Sequence, residues 1–140
     1  MANPERQEFN RKVIEEFRTS GGKVSGQFKN APMILISYTG AKSGKTYTTP
    51  LVYSKDGNRY VIIASMGGAP NNPDWYHNLK ANPAITVEVG AEKFKARAVE
   101  TKGAERDRLF KAQAAIMPFF AEYQAKTKRV IPVFALERIG

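Results

Sequence analysis

The chain has 140 residues, 42% hydrophobic and 25% charged, the proportions of one domain large enough to bury its own core without covalent staples. With no cysteine and only one histidine, His77, it excludes disulfides, thiolate nucleophiles, zinc-thiolate sites and multi-histidine metal centres. A net charge of +9 favours anionic partners, whether nucleic acid, lipid headgroups or a phosphorylated small molecule.

Asn3-Pro4 is a helix start, because Asn caps free amides and Pro tolerates the first helical position. Phe9, Val13, Ile14 and Phe17 recur at helical spacing and predict an amphipathic helix, followed by a loop from Thr19 to about Ala31. These first residues lack the apolar core of a signal peptide and no run of about 18 apolar residues follows, so the expected address is the cytoplasm. The helix is a candidate for peripheral membrane contact, although its apolar face is narrow and diluted by glutamates.

Residues 33–38 form a continuous apolar run, as expected of a strand buried on both faces. Two β-rich runs, 46–54 and 59–65, are joined through Asp56-Gly57, which predicts a tight hairpin. Asn72-Pro73-Asp74 repeats the cap-then-proline signal, so residues 74–80 should form a short helix ending at Asn82-Pro83. Ile85, Val87 and Val89, then Phe94, Ala96 and Ala98, alternate with polar residues around Gly90 and predict two strands with one wet face each. Gly103–Ile116 and Phe119–Lys126 read as helices interrupted by Pro118, and 130–139 as a strand that Pro132 places near an edge or at a strand start. Hairpin connections argue for an antiparallel sheet, and six such strands for a barrel, in a single domain over 1–140 with its helix and loop in 1–30.

Thr39-Gly40-Ala41-Lys42-Ser43-Gly44-Lys45 lies between two strands and combines glycines, hydroxyls and two ammonium groups, chemically a cradle for phosphate or carboxylate. It lacks the spacing of a Walker loop, and a solvated hairpin turn accounts for the same residues. Ala64-Ser65-Met66-Gly67-Gly68 ends a strand beside a helix carrying the only tryptophan, an arrangement that could hold a flat aromatic ligand. Equally, Trp75 and Leu79 could be the buried face of that helix. His77 is the side-chain type most often used as acid or base, but it has no partner visible in sequence. The stripe Lys93, Lys95, Arg97 lies on one strand face and could touch phosphates, although a solvated face accounts for it as well; Lys126, Lys128 and Arg129 form a similar cluster at a helix end, where the dipole favours cations.

Taken in order, Thr39-Gly40-x-Lys42-Ser43-Gly44, Pro50-Leu51, Asp56-Gly57, Ala64-Ser65-x-Gly67-Gly68 and Asn72-Pro73-x-Trp75-Tyr76-x-Asn78-Leu79-x-Ala81-Asn82-Pro83 resemble the deazaflavin-dependent nitroreductase and quinone reductase family, actinobacterial reductases that use coenzyme F-420. The resemblance implies a mainly β fold with helices, a split antiparallel β-barrel like that of FMN-binding proteins. It implies that Lys42, Ser43, Gly44 and Lys45 contact the phosphate and acidic tail of the coenzyme, near Tyr47, where relatives commonly carry Arg. Pro50, Leu51, Val52, Ala64, Ser65, Met66 and Gly67 would border the deazaflavin ring, with Trp75 and Asn78 at the matching helix; relatives often carry Lys at the Met66 position. Ser65 is the candidate for a catalytic hydrogen bond. Met117, Phe119, Phe120 and Tyr123 would line the pocket of a small-molecule electron acceptor. Some nitroimidazole-reducing relatives have tyrosines at two of these positions, so the greasier set here favours quinones or unsaturated carbonyl compounds over nitroaromatics. FMN in place of the deazaflavin, or a basic module binding nucleic acid, are the alternatives; the aromatics are not interleaved with basic residues as stacking platforms are.

Overall fold

The computed structural model describes residues 4–22, 32–65, 68 and 71–139. In chain order these form α1 (Pro4–Thr19), β1 (Met33–Thr39), β2 (Thr46–Val52), β3 (Ser54–Asp56), β4 (Arg59–Ile63), α2 (Asp74–Ala81), β5 (Ala84–Val89), β6 (Glu92–Glu100), α3 (Gly103–Ile116), α4 (Phe119–Lys126) and β7 (Val133–Arg138). The Asn3 cap and the loop residues 23–31 fall outside the described residues; Thr19 closes α1 rather than opening the loop.

The seven strands form one sheet ordered β2-β1-β5-β6-β7-β4-β3, with every neighbouring pair antiparallel. Its two edges, β2 and β3, are consecutive in the chain and separated only by Tyr53. One residue can join opposite edges only if the sheet curls round until they meet, so the expected barrel is present and the 46–54 run is a single bent strand serving both ends. Beyond the bend the ladders part: β2 follows β1 with Met33 opposite Val52, while β3 follows β4 with Ser54 opposite Val61. That parting is the split.

The barrel interior holds Ile34, Ile36, Ile62, Ile85, Val87, Phe94, Ala96, Phe134 and Leu136, together with Trp75 and Leu79 from α2. Each large apolar side chain buried there contributes about 1.5–3 kcal/mol. Outside, α1 lays Val13 and Phe17 on Met33 and Leu35, while α3 and α4 lay Leu109, Phe110, Met117 and Phe120 on Val61, Ile63 and Val133. β1, β4 and β7 are thus covered on both faces, as the unbroken apolar run of β1 predicts. β6 keeps Lys93, Lys95 and Arg97 exposed.

Several boundaries differ from the sequence reading. β4 ends at Ile63, not Ser65, and Pro132, which has no N–H for the ladder, delays β7 to Val133 between β6 and β4. β5 has no wholly wet face. Glu88 is buried on it because α1 lies over that side and Arg18 meets the carboxylate through two hydrogen bonds of 3.1 and 2.8 Å. The apolar stripe of α1 is occupied by the barrel wall, leaving Phe9 as the large apolar side chain exposed on its described part. No described helix is long and apolar enough to cross a membrane.

Candidate functional site

The loop between β1 and β2 is a closed turn. Gly40 N–H donates to the Lys45 carbonyl at 2.8 Å, Gly44 N–H to the Gly40 carbonyl at 3.0 Å, and Lys45 N–H to Ser43 Oγ at 3.2 Å. Ser43 Oγ and the Tyr47 hydroxyl lie 3.0 Å apart. Gly40 is required by space: a Cβ there would sit 2.6 Å from Ser43 Oγ and 2.8 Å from the Tyr47 ring. Gly44 adopts φ +71°, a left-handed conformation natural to glycine. The turn therefore spends much of the amide supply that its sequence suggested for an anion. What it still offers are the Lys42 and Ser43 N–H groups and the exposed Lys42 and Lys45 ammoniums, which have no partner among the described residues.

Helix α2 joins this turn to the second motif. Asn78 Oδ1 accepts from Ala41 N–H at 2.9 Å, and Asn82 Nδ2 donates to the Thr39 carbonyl at 3.4 Å. The helix is held in turn by Glu100 of β6, whose carboxylate accepts from Lys80 Nζ at 2.7 Å, Lys102 Nζ at 3.0 Å and the Tyr76 hydroxyl at 3.3 Å. Burial pushes the Glu100 carboxyl up, but its hydrogen bonds from Lys80 and Lys102 outweigh that and hold it below the usual carboxylate range. Trp75 is buried against Phe134, with ring centroids 5.9 Å apart, and plugs the barrel end with Leu79. His77 is exposed, edge-on to Tyr76.

At the other end of α2, Asn72 does not cap the helix; Pro73 occupies the N-cap position without a side-chain bond. Asn72 Oδ1 instead accepts from Arg129 at 2.7 Å, and the same guanidinium donates to the carbonyls of Ala64 at 3.2 Å and Ser65 at 2.8 Å. Burial draws the Arg129 guanidinium below its ordinary value. Sequence reading grouped Arg129 with the cations of a helix end; its partners here are the end of β4 and the approach to α2. Met66 and Gly67 lie outside the described residues. Gly68 returns a hydrogen bond to the Ser65 carbonyl at 2.9 Å and packs against α4, where a Cβ would come within 2.7 Å of the Tyr123 carbonyl oxygen.

The aromatic segment lies beside this strand end. Met117 and Phe120 are buried in the layer between α3, α4 and the sheet, with Ile63 from β4 and, partly buried, Val52 from β2 and Tyr123. Phe119 is 37% exposed and stacks 4.7 Å from Phe120 and 5.4 Å from Tyr123. Of the ring-bordering candidates, Val52 therefore shares this cluster, whereas Leu51 packs on the barrel interior and Pro50 pairs with Leu35 at the β2 edge, which needs no donor from proline. Gln113, fully buried beneath the same layer, accepts from the Ser54 hydroxyl at 3.2 Å and leaves its Nε2 unpartnered.

The candidate residues thus fall into two groups linked by α2 and by β2. A seven-residue strand at about 3.3 Å per residue separates the cationic turn from Val52 by roughly 20 Å. The arrangement suits an elongated ligand, anionic at one end and flat or apolar at the other.

Comparisons with known proteins place the chain in a family. The F420H(2)-dependent quinone reductase family matches residues 9–138. The chain is 38% identical, over 87% of its length and 85% of the relative's, to an F420H(2)-dependent quinone reductase of Mycobacterium tuberculosis (strain ATCC 25618 / H37Rv). A solved F420-H2 dependent reductase superposes with TM-score 0.71 at 43% identity, covering 76% of this chain and 94% of that one. A second structure, described as a domain-swapped dimer, superposes with TM-score 0.73 at 38% identity over 95% of this chain and 96% of its own. The motifs that carried the resemblance lie within the matched residues, on an antiparallel split barrel of the expected kind, and the chain belongs to the F420H(2)-dependent quinone reductase family.

Proposed function

We propose that the chain reduces a quinone-type acceptor with a hydride taken from reduced coenzyme F-420. The family match over 9–138 carries this reading. The residues present suit such a coenzyme: unpaired Lys42 and Lys45 at one end for its anionic tail, and at the other the half-buried edge of β2 with the Ala64-Ser65 strand end for its ring. When bound, the reduced deazaflavin supplies the hydride. The chain's own part is to bind and orient: Lys42, Ser43 and Lys45 hold the tail, Asn78 keeps their turn in place, and Val52 with the α4 aromatics keeps water from the acceptor. Ser65 offers hydrogen-bond donors to a carbonyl oxygen, where charge develops as a quinone takes up hydride. Phe119, exposed beside Phe120 and Tyr123, gives the acceptor an apolar face to rest on.

The purified protein should quench the fluorescence of oxidised coenzyme F-420 on titration, and it should oxidise the reduced coenzyme only when menadione is added. Absence of binding at micromolar concentration would overturn the reading. A protein that purifies yellow with FMN and ignores the deazaflavin would replace it with a flavin-dependent one.

A further inference from the structure

Arg129 stands outside every motif that carries the family resemblance, yet it joins three segments around the strand end. Its partners Ala64, Ser65 and Asn72 are 65, 64 and 57 residues away in the chain. The Ser65 carbonyl also accepts from Gly68 N–H, so its position is set twice. In a trans peptide the N–H points opposite to the carbonyl of the same unit. Drawing the Ala64 carbonyl to Arg129 therefore turns the Ser65 N–H to the other side. Ser65 is only 8% exposed, and neither its N–H nor its Oγ has a partner among the described residues. Both groups are therefore open to an acceptor that reaches this strand end, the hydroxyl through a rotatable O–H and the amide through a fixed one.

We propose that Arg129 is a positioning residue: by holding the carbonyls of Ala64 and Ser65 and the side chain of Asn72 with one guanidinium, it presents the Ser65 N–H and Oγ as a fixed donor pair for a carbonyl oxygen of the redox pair. That oxygen belongs either to the deazaflavin ring or to the quinone. The inference rests on the proposed function for the ligand's identity, but not for the clamp itself. The forked guanidinium matters, because a lysine ammonium keeps the charge without presenting two planar nitrogens to separate acceptors.

Four variants test this: Arg129→Lys, Arg129→Met, Ser65→Ala and the Arg129→Lys/Ser65→Ala double. In the free protein, hydrogen exchange at the Ala64 and Gly68 amides, bonded to the Pro132 and Ser65 carbonyls, should quicken about tenfold or more in both Arg129 variants. Unchanged exchange would overturn the clamp whatever the ligand. If Arg129→Met does not fold, Arg129→Lys and Asn72→Ala, which removes one of the acceptors described for Arg129, carry the same measurement. A contact with the deazaflavin raises its dissociation constant about tenfold in Arg129→Lys, and a contact with the quinone instead raises the KM for menadione by a similar factor. In either case the double variant should be little worse than either single, because both act through Ser65. Additive losses, or full rescue by lysine, would refute positioning and leave only a charge effect. Failure of the wild-type protein to bind the coenzyme would refute the proposed function, while the exchange measurement would still decide the role of Arg129.

Discussion

Asn78 is the side chain on which the cationic turn depends. Its Oδ1 is the acceptor for Ala41 N–H, one residue before Lys42, and it projects from a helix that Trp75, Leu79 and Glu100 hold against the barrel. Asn82 adds a longer bond of 3.4 Å to the Thr39 carbonyl where the turn begins, and the remaining bonds are internal, so they shape the turn without aiming it. Asn78→Ala removes an exposed neutral hydrogen bond worth about 0.5–1.5 kcal/mol and lets the turn drift from its helix. The expected result is a coenzyme dissociation constant raised up to about tenfold, with little change in thermal midpoint, since none of the buried side chains moves. Asn78→Asp keeps the acceptor but places a carboxylate beside Lys42, so it should also weaken binding, and more so at low salt. Fluorescence titration of the three proteins at two ionic strengths checks both statements; equal affinities throughout would show that the turn needs no anchor.

Among the elements, the hairpin of β3 and β4 is tied to α3 by charge. Asp56 accepts from Arg108 at 2.9 Å and from Arg59, and Arg59 also reaches Glu105 at 3.1 Å. The Arg108 hydrogen bond first, then that of Arg59, hold the Asp56 carboxyl far below its usual range. A carboxylate depressed in the folded state stabilises fully above its unfolded pKa, about 3.9, and loses that contribution as pH falls through and below it. Asp56→Asn should therefore melt a few degrees below the wild type at pH 7, and the gap should narrow as the pH is lowered toward 2, where the folded-state carboxylate is still largely charged. A gap constant across that range in calorimetry would show that the pairs contribute nothing specific. Elements of this kind are the most legible in sequence, because their signals are local: Asp56-Gly57 announces the hairpin, whose two turn residues are Gly57 and Asn58 between the paired Asp56 and Arg59, and Trp75 and Leu79 one turn apart mark the buried side of α2. What escapes is whatever a distant partner decides. Asn72 has the residue type of a helix cap, but a competing guanidinium takes its oxygen. The bend at Tyr53 is invisible because it arises from two different strands claiming the residues on either side. Arg129 could not be singled out, because backbone carbonyls accept its bonds and leave no mark of residue type at Ala64 or Ser65. Lys42, Ser43 and Lys45, by contrast, announce themselves through side-chain chemistry alone.

For the whole molecule, much of the excess positive charge lies outside the cationic turn, some of it beside the strand end at Arg129 and some on the exposed face of β6. Residues 91–140 carry +5 of the +9, and Lys93, Lys95 and Arg97 stand exposed along β6, whereas the cationic turn adds only Lys42 and Lys45. These two populations should act on different rate constants. Distant charges attract an anionic ligand through solvent, so they speed encounter and are screened beyond about 10 Å at 0.1 M salt, while charges that touch the ligand slow its escape. Stopped-flow binding of coenzyme F-420 should show an association rate constant falling about tenfold between roughly 20 mM and 0.5 M salt. Reversing Lys93, Lys95 and Arg97 to glutamate should lower that rate constant and flatten its salt dependence, with the dissociation rate constant nearly unchanged. Lys42→Ala should do the opposite, raising the dissociation rate constant about tenfold or more, the loss of one charged hydrogen bond, with a small effect on association. If the β6 reversals change dissociation instead, the ligand lies across β6 and the site has been placed on the wrong face of the barrel. If Lys42→Ala alters only association, the turn is part of the general field and the coenzyme tail is held elsewhere.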